Sequence, residues 1–425
     1  MQLHKETYFS KSYSIMQPVY SLLTYVSQPF LWFTKFFSKK MKLFVEGRKD
    51  VFKILNEKLK PSDRTIWFHC ASLGEFEQGL PIIEGLKKVK PDHKIVITFF
   101  SPSGYEIKKN TPAADVVTYL PYDTIYNVKR FIRIVHPSMA FFVKYEFWPN
   151  YLFELQRQGI PSYLISGLFR KKQVFFRSHG EFMRNALRSF THIFVQNEAS
   201  KKLLNNIGLK NVTISGDTRF DRVSRQIELD NSLDFMEKFK GDSLCIVCGS
   251  TWPEDEAVLL PFINSETAKK IKFVIAPHSI DNEKMDAFSK KLTGRFTYFS
   301  EIEKVSLSQS SILLIDTVGL LSKIYSYADI AYVGGAMGAS GLHNILEPAT
   351  FGIPVVIGKN FDKFPEAIKL QDLAGLYSVE NEEDCKNVFD KLVTDKKFRE
   401  QTGMIAGHFI NSNTGATKII MQYIS

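Results

Sequence analysis

Residues 65–76 read TIWFHCASLGEF, an apolar run that ends in a small polar turn. Its β-branched and aromatic residues predict a buried strand, and the pattern of residues 77–90, EQGLPIIEGLKKVK, predicts a helix directly after it. Ser72 and Glu75 have the S-x-x-E spacing of a capping box, in which each side chain pairs with a backbone N–H at the helix start. A carboxylate at a strand end can also take a proton from a substrate, so the turn alone leaves both roles open.

Predicted strands and helices alternate along the chain, and the alternation is interrupted once, by a polar segment near residues 217–240. Strands that are apolar on both faces and alternate with helices are typical of a parallel sheet with crossover helices. We therefore expect two doubly wound α/β domains. Besides residues 65–72, the predicted strands lie at 94–101, 139–147, 161–167, 192–197 and 211–216 before the interruption, and at 243–250, 272–278, 311–316, 329–335 and 354–359 after it.

Composition agrees with this division and limits the functions to consider. A chain of 425 residues that is 44% hydrophobic is longer than a single core usually supports. The 55 Lys and Arg against 45 Asp and Glu give a net charge of +10, which suits an anionic lipid or a phosphorylated substrate. The basic residues are scattered and form no nucleic-acid-binding signature, so we expect no nucleic-acid partner. The four cysteines stand mostly in or beside apolar runs, which favours a reducing compartment and, for Cys245 and Cys248, a place in the core.

The N-terminal region is unusual in composition. Residues 12–34 carry no charge and are followed by Lys35, Lys39, Lys40 and Lys42. The segment is long enough to span a bilayer, but its prolines, glutamines and serines leave an interfacial helix open, as well as a core helix that starts the fold. The basic flank after the apolar run indicates that the main body lies in the cytoplasm.

Two further turns repeat the S-x-x-E type of spacing at predicted strand ends, Thr251 with Glu254 and Asn344 with Glu347. Helix N-termini carry unpaired N–H groups and partial positive charge, so each turn can hold an anion or a substrate group. Glycines 334, 335, 338 and 341 allow close backbone approach but do not match a dinucleotide-binding motif. His343 and Glu347 are four residues apart, yet no third ligand is apparent, and we expect no metal.

Eight motifs follow one another along the chain: HCASLGEFEQGLPII (69–83), FSPSGYE (100–106), YEFWPN (145–150), SGDTRFD (215–221), GSTWPEDE (249–256), APHS (276–279), DTVG (316–319) and GGAMGASGLHNILEPATFGIPVVIG (334–358). Taken in order, they resemble the motifs of the 3-deoxy-D-manno-octulosonic acid (Kdo) transferases of lipid A assembly, glycosyltransferase family 30. The resemblance extends over nearly the whole chain and includes the N-terminal apolar segment.

The resemblance implies a GT-B fold, with two Rossmann-like domains facing a cleft and an N-terminal membrane-anchoring helix. It assigns residues 1–45 to the anchor and its basic flank, 46–216 to an acceptor domain, and 217–425 to a donor domain whose last helix may pack back on the acceptor domain. It also implies an inverting, metal-independent transfer of Kdo from CMP-Kdo to a tetraacyldisaccharide bisphosphate lipid A precursor, without a cofactor, at the cytoplasmic face of an inner membrane.

The resemblance also assigns residues to roles, with Glu75 as the catalytic base. The donor-binding residues are Ser250, Thr251, Pro277, His278, Val318, Gly335, Asn344 and Glu347. The acceptor-side residues are Ser72, Gly74, Ser103, Gly104, Glu146 and Arg219, and Glu146 is the reserve candidate for the base.

This chain departs from the family pattern at three positions. The arginine expected in the APHS stretch is missing at Ala276, Leu342 stands where glycine is common, and Lys144 replaces a frequent acidic residue. Two other functions are therefore kept as alternatives: a GT-B transferase or epimerase that uses a UDP-sugar, and an inactive membrane-bound scaffold.

Overall fold

The structure is a computed structural model that describes the backbone of residues 2–424 and the side chains of residues 16–424. The chain divides into two compact units. Unit 1 comprises Met1–Arg222 together with Thr414–Ser425, and unit 2 comprises Val223–Asn413.

Each unit is built on a seven-stranded parallel sheet, with strand order β3-β2-β1-β4-β5-β6-β7 in unit 1 and β10-β11-β9-β8-β12-β13-β14 in unit 2. The strands are β1 (Arg64–Cys70), β2 (His93–Phe99), β3 (Val116–Tyr119), β4 (Pro137–Val143), β5 (Ser162–Gly167), β6 (His192–Val195), β7 (Val212–Ile214), β8 (Cys245–Thr251), β9 (Lys272–Pro277), β10 (Phe296–Tyr298), β11 (Ile312–Leu314), β12 (Ile330–Val333), β13 (Val355–Gly358) and β14 (Leu376–Val379).

Helices alternate with the strands. The α-helices are α1 (Gln2–Thr34), α2 (Lys39–Glu46), α3 (Val51–Lys58), α4 (Leu73–Val89), α5 (Pro102–Lys108), α6 (Ile125–Val135), α7 (Pro149–Arg157), α8 (Glu181–Arg188), α9 (Glu198–Asn206), α10 (Thr218–Arg225), α11 (Asp234–Lys240), α12 (Pro253–Ile263), α13 (Asn282–Ser289), α14 (Leu321–Ile324), α15 (Leu346–Thr350), α16 (Pro365–Asp372), α17 (Glu382–Thr394), α18 (Lys396–Ser412) and α19 (Ala416–Ile424). Short 3₁₀ turns lie at Val174–Phe176, Gln226–Glu228, Thr267–Lys270, Phe299–Lys304, Leu307–Gln309 and Tyr325–Tyr327.

The predicted pair of doubly wound parallel sheets is confirmed. Three strands that were not predicted, β3, β10 and β14, all lie at sheet edges. All three are only three or four residues long. The strands β10 and β14 are only partly buried and lack a strong apolar run, whereas β3 (VVTY) is buried and was missed because it is short.

The strand orders determine where a ligand can bind. In unit 1 the chain moves from β1 out to β3 and returns to place β4 on the other side of β1, so the order reverses between β1 and β4. In unit 2 the corresponding reversal lies between β8 and β12. Open parallel sheets bind ligands beyond the carboxyl ends of the strands at this switch point. The turns after β1, β4, β8 and β12 are therefore the places to examine.

Helix α1 is joined to the body of unit 1 by polar contacts. The Tyr20 hydroxyl donates to Asp123 Oδ2 at 2.8 Å, and the Ser21 hydroxyl donates to Asn150 Oδ1 at 3.3 Å. Burial raises the pKa of Asp123 to about 7. This carboxylate also accepts the backbone N–H groups of Asn150 and Tyr151, so it holds α1 and the start of α7 together.

Much of α1 outside these contacts is apolar and exposed, including Leu23 at 61%, Phe30 at 69% and Phe33 at 58%. In the part of the chain that the structure describes, no helix combines the length and hydropathy needed to cross a bilayer. Side chains 12–15 of the predicted anchor segment lie outside the described residues.

Helix α19 belongs to unit 1 although it is the last helix of the chain. Its Ile420 and Ile424 are buried in the core on the α4 side of the sheet, and the Tyr423 ring lies 4.2 Å from the His192 ring. Asp221, from the SGDTRFD motif, accepts the backbone N–H groups of Gly415 and Thr417 at 2.5 and 2.6 Å. This motif carboxylate therefore caps α19.

The four cysteines are free and buried, as expected for core residues.

Candidate active site

The turn after β1 places Glu75 in the first turn of α4, where it is partly exposed. Ser72 is the N-cap residue, but its hydroxyl accepts no backbone N–H and donates instead to Glu75 Oε2. The expected capping box is therefore wrong in its bonding, because the two side chains pair with each other. Neither side chain pairs with the helix backbone here. The hydrogen bond from Ser72 holds the Glu75 carboxylate at the switch point of the sheet.

The turn after β4 is strained at Lys144, whose φ of 69° is in the left-handed region. Such a conformation costs on the order of 1–3 kcal/mol for a residue with a side chain. The Lys144 N–H donates to Ile165 O at 2.9 Å and the Tyr145 N–H donates to Val143 O at 3.1 Å, which fix the turn. The two hydrogen bonds therefore hold the backbone of this turn at the end of β4.

Glu146, two residues further on, is buried and held by two donors. His69 Nε2 lies 2.8 Å and Trp148 Nε1 lies 2.7 Å from Glu146 Oε2. Trp148 Nε1 also lies 3.0 Å from His69 Nε2. On the other side of the ring, His69 Nδ1 lies 2.9 Å from the Thr98 hydroxyl oxygen. The Thr98 oxygen in turn accepts from Trp67 Nε1 at 2.8 Å. These bonds support Glu146 as the residue that orders the YEFWPN loop.

The other acceptor-side candidates surround the same strand ends. A Cβ atom at Gly104 would lie 2.3 Å from the Phe99 ring and 2.9 Å from the Ser72 carbonyl carbon, so this glycine lets α5 approach the Ser72 turn. At Gly74 the added atom would meet only Ser72 Oγ, at 3.9 Å, so packing does not explain this glycine. The Ser103 hydroxyl lies 2.9 Å from that of Ser101, the N-cap of α5.

Arg219 forms an ion pair with Asp217, with Nη2 2.8 Å from Oδ2. Burial raises the pKa of Tyr145, the charges of Arg170 and Arg219 oppose that rise, and those of Glu75 and Asp217 add to it. Tyr145 follows β4 and Glu75 follows β1, which are neighbouring strands, so both residues lie at the carboxyl edge of the sheet.

In unit 2, the predicted box between Thr251 and Glu254 is wrong. Trp252 is the N-cap of α12, and its backbone N–H donates to Asp255 Oδ2 at 2.9 Å. The fully buried Asp255 also accepts the Gly335 N–H and the Tyr332 hydroxyl, both at 2.8 Å. Asp255 therefore joins the turns after β8 and β12, and sequence reasoning missed it although it lies within the GSTWPEDE motif.

Three aromatic rings stack at the carboxyl ends of β8 and β9. The ring centroids of Trp252 and His278 are 4.6 Å apart, and those of His278 and His343 are 4.4 Å apart. Trp252 Nε1 donates to His343 Nε2 at 3.0 Å, which requires that nitrogen to be unprotonated. Burial, followed by the charge of His278, lowers the pKa of His343 to about 4, and burial also lowers that of His278. The stack is neutral at neutral pH.

Next to this stack, the donor-side residues of the third turn are linked. Glu347 Oε1 accepts from Asn344 Nδ2 at 3.1 Å, and Oε2 accepts from the Ser322 hydroxyl at 3.2 Å. Asn344 Oδ1 also accepts the N–H of Leu346, the first residue of α15, at 3.2 Å. Val318 lies in the loop between β11 and α14, and its side chain is 83% exposed. Within the described residues, no three or more His, Cys, Asp or Glu side chains group as a metal site would require.

Strand-end geometry explains the remaining donor-side residues. Ser250 has a left-handed φ of 55°, and the Thr251 carbonyl accepts the His278 N–H at 2.9 Å. Pro277 is paired with Thr251 across β8 and β9. Gly335 has a φ of 95°, and a Cβ atom there would lie 2.2 Å from the Gly341 carbonyl oxygen. A structural constraint alone therefore accounts for this glycine.

Residues 46–222 match the family model described as 3-deoxy-D-manno-octulosonic-acid transferase (kdotransferase). The chain is 28% identical to the 3-deoxy-D-manno-octulosonic acid transferase of Aquifex aeolicus, over 80% of this chain and 89% of that protein. It is 26% identical to the enzyme of the same name from Haemophilus influenzae, over 86% of this chain and 87% of that protein. Residues 46–222 thus match a Kdo transferase domain, and most of the chain is similar to Kdo transferases. The chain is a glycosyltransferase.

Among solved structures, UDP-GlcNAc 2-epimerase from Neisseria meningitidis bound to UDP-GlcNAc is similar, with a TM-score of 0.61 and 16% identity over 85% of this chain and 99% of that one. This likeness concerns the fold alone and agrees with the expected GT-B architecture of the Kdo transferase family.

Two departures from the Kdo transferase pattern can now be located. Ala276 is 6% exposed and packs in the core of unit 2, so its position faces away from the strand-end turn. His278, beyond the end of β9, is the residue of this stretch that reaches the stacked rings. Leu342 is buried next to His343.

Proposed function

We propose that this protein transfers Kdo from CMP-Kdo to a sugar hydroxyl of an acylated, phosphorylated disaccharide precursor of lipid A, with inversion and without a metal. The similarity to Kdo transferases supports Kdo as the transferred sugar. The observation that carries the mechanism is the position of Glu75 at the carboxyl end of β1, paired with Ser72 rather than with the helix backbone.

In this mechanism the acceptor hydroxyl oxygen attacks the anomeric carbon of Kdo as the bond from that carbon to the CMP phosphate oxygen breaks. CMP leaves with the bonding electrons, and the hydroxyl proton passes to the Glu75 carboxylate. General-base catalysis by a positioned carboxylate contributes about 10² to 10⁴ in rate. The Ser72 hydroxyl keeps the carboxylate oriented through its hydrogen bond.

For the donor, we propose a site made by Ser250, Thr251, Pro277, His278, Val318, Gly335, Asn344 and Glu347. Glu347 would accept hydrogen bonds from ribose hydroxyls, because a carboxylate can accept from two hydroxyls at once. The turn after β8 at the N-terminus of α12 offers backbone N–H groups and the positive end of a helix to the phosphate.

For the acceptor, we propose that α1 lies on the cytoplasmic face of an inner membrane. Its exposed apolar side chains are followed by four lysines, and each basic residue near an anionic surface contributes roughly 1 kcal/mol. A cavity of about 400 Å³ lies beside α1, and its lining combines a cation, Arg48, with the apolar side chains of Pro29, Trp32, Val45 and Phe52. This combination of apolar and charged groups supports an amphiphilic acceptor.

Mass spectrometry of the product made from CMP-Kdo and the acylated disaccharide tests the activity and counts the Kdo units added. We expect transfer from CMP-Kdo and none from UDP-GlcNAc. Product formed only with the UDP-sugar would indicate another GT-B activity, and no product with either donor would indicate an inactive scaffold.

The membrane part of the proposal is tested with the full chain and vesicles that contain anionic lipid. Replacing Leu23, Phe30 and Phe33 by Glu should abolish co-sedimentation, whereas replacing the exposed Ile107 and Ile227 by Glu should not. Equal loss in both variants, or in neither, would contradict a role for α1.

A further inference from the structure

The Tyr145 hydroxyl has an unusual environment in unit 1. Its oxygen is shielded from solvent, and no group among the described residues forms a hydrogen bond with it. Buried polar groups nearly always have a partner, so a lone hydroxyl at a strand end points to a missing ligand group. Because a hydroxyl donates well to anionic oxygens, an anion would satisfy it.

Two cationic side chains flank the same ring. Lys144 Nζ lies 5.4 Å and the Arg170 guanidinium carbon lies 5.8 Å from the ring centroid of Tyr145. Lys144 follows β4 and Arg170 follows β5, which are neighbouring parallel strands, so both cations extend from the same edge of the sheet.

The cluster of Lys144, Tyr145 and Arg170 follows β4 and β5, and Glu75 follows β1, the other neighbour of β4, so all of them lie at the carboxyl edge of one sheet. An anion bound by the Tyr145 hydroxyl would lie at the edge that also carries the carboxylate that we propose as the base. The anionic group must therefore be a substituent of the acceptor near the reacting hydroxyl, and not that hydroxyl itself.

We infer that Lys144, Tyr145 and Arg170 form a subsite for a phosphate group carried by the acceptor. This inference rests on the proposed function, which supplies a phosphorylated acceptor. Two cations and a hydroxyl donor match a phosphate monoester, which carries up to two negative charges and several acceptor oxygens.

The test measures binding of glucosamine 1-phosphate to the full chain by calorimetry, without any donor. Lys144→Glu should weaken binding at least about tenfold, and Tyr145→Phe should weaken it by less, since a charge-assisted contact is worth more than a neutral one. The control is Lys172→Glu, which makes the same charge change at an exposed site two residues after Arg170 and should leave binding unchanged. Thermal unfolding of each variant checks that it is folded.

A second arm titrates free Kdo, which offers a carboxylate in place of a phosphate. Lys144→Glu should leave Kdo binding unchanged. Weakened Kdo binding with unchanged glucosamine 1-phosphate binding would overturn the inference in favour of a carboxylate subsite, and equal phosphate affinity in wild type, Lys144→Glu and Lys172→Glu would overturn it outright. Because neither titration needs turnover, a failure of the Kdo transfer assay would be distinguishable from a failure of this inference.

Discussion

His69 Nε2 lies 2.8 Å from Glu146 Oε2, and both residues are buried, His69 at 0% and Glu146 at 8% exposure. The pair joins the end of β1 to the loop after β4, across the switch point of the sheet. This contact gives Glu146 a structural role that Glu75 does not have. The two carboxylates of the predicted acceptor side therefore respond differently to mutation.

Replacing Glu146 by Ala should lower the free energy of unfolding by about 1–3 kcal/mol, because the buried N–H groups of His69 and Trp148 lose their acceptor. Urea denaturation followed by tryptophan fluorescence measures the change. As a control, Glu57→Ala removes an exposed carboxylate from the same unit and should have little effect. Equal stability of both variants would show that the His69 contact contributes nothing.

Replacing Glu75 by Gln should reduce turnover by about 10² to 10⁴, since the amide cannot accept the proton, while the protein stays folded and binds CMP. Ser72→Ala should reduce turnover less, because it removes only the bond that orients the carboxylate. Initial rates with CMP-Kdo and the acylated disaccharide measure both effects. Near wild-type turnover in Glu75→Gln, with a lowered melting temperature, would return Glu75 to a structural role.

Replacing Glu347 by Gln should weaken CMP binding about tenfold or more, because charge-assisted hydrogen bonds to the ribose become neutral ones. Calorimetric titration with CMP provides the affinity. The matched variant Glu383→Gln, exposed at the start of α17, should bind CMP like the wild type. An unchanged CMP affinity in Glu347→Gln would remove this residue from the donor site.

The stack of Trp252, His278 and His343 should make the protein less stable in acid. The pKa of His343 falls from 6.5 in the unfolded chain to about 4 in the folded one, so the unfolded chain binds more protons between these values. Stability is therefore complete above about pH 6.5 and falls as the pH drops toward 4. After allowance for the partial exposure of the ring, the loss is on the order of 1–2 kcal/mol.

Melting temperatures between about pH 7.5 and pH 5 measure this effect. The acid loss should be smaller in His343→Gln than in the wild type, while His179→Gln, which changes an exposed histidine, should match the wild type. Identical pH profiles in all three proteins would contradict the role of the stack.

Sequence alone predicts the central strands of both sheets, because strands buried on two faces are continuous apolar runs. It missed only edge strands, such as β10 with an exposed Phe296, where one side of the strand has no neighbour and the apolar signal is weak. It also located the strand-end turns correctly, since the order of strand and helix determines them.

The bonding within those turns was not predictable from spacing. Three pairs three residues apart gave three different structures: Ser72 bonds Glu75 directly, Asp255 replaces Glu254 as the capping partner, and Asn344 bonds both Glu347 and the backbone. Spacing fixes which residues can meet, whereas side-chain rotamers and tertiary neighbours decide which atoms do.

Residues that act across strands gave no local signal at all. The Tyr145 ring lies near cations that follow two different strands. Asp255 accepts the backbone N–H of Gly335, which is 80 residues further along the chain. The YEFWPN and GSTWPEDE motifs contain these residues, but nothing in their spacing indicates which of them bonds across the sheet.

The return of α19 to unit 1 has a consequence for biosynthesis. Gly85 on α4 leaves room for Met421, whose sulfur would lie 3.0 Å from a Cβ atom there, and this groove stays uncovered until α19 leaves the ribosome. At about 5–20 residues per second, the whole of unit 2 is translated first, which takes roughly 10–40 s. The nascent protein therefore exposes an apolar groove during elongation, and a hydrophobic dye should bind a fragment that ends at Arg222 more strongly than it binds the complete chain.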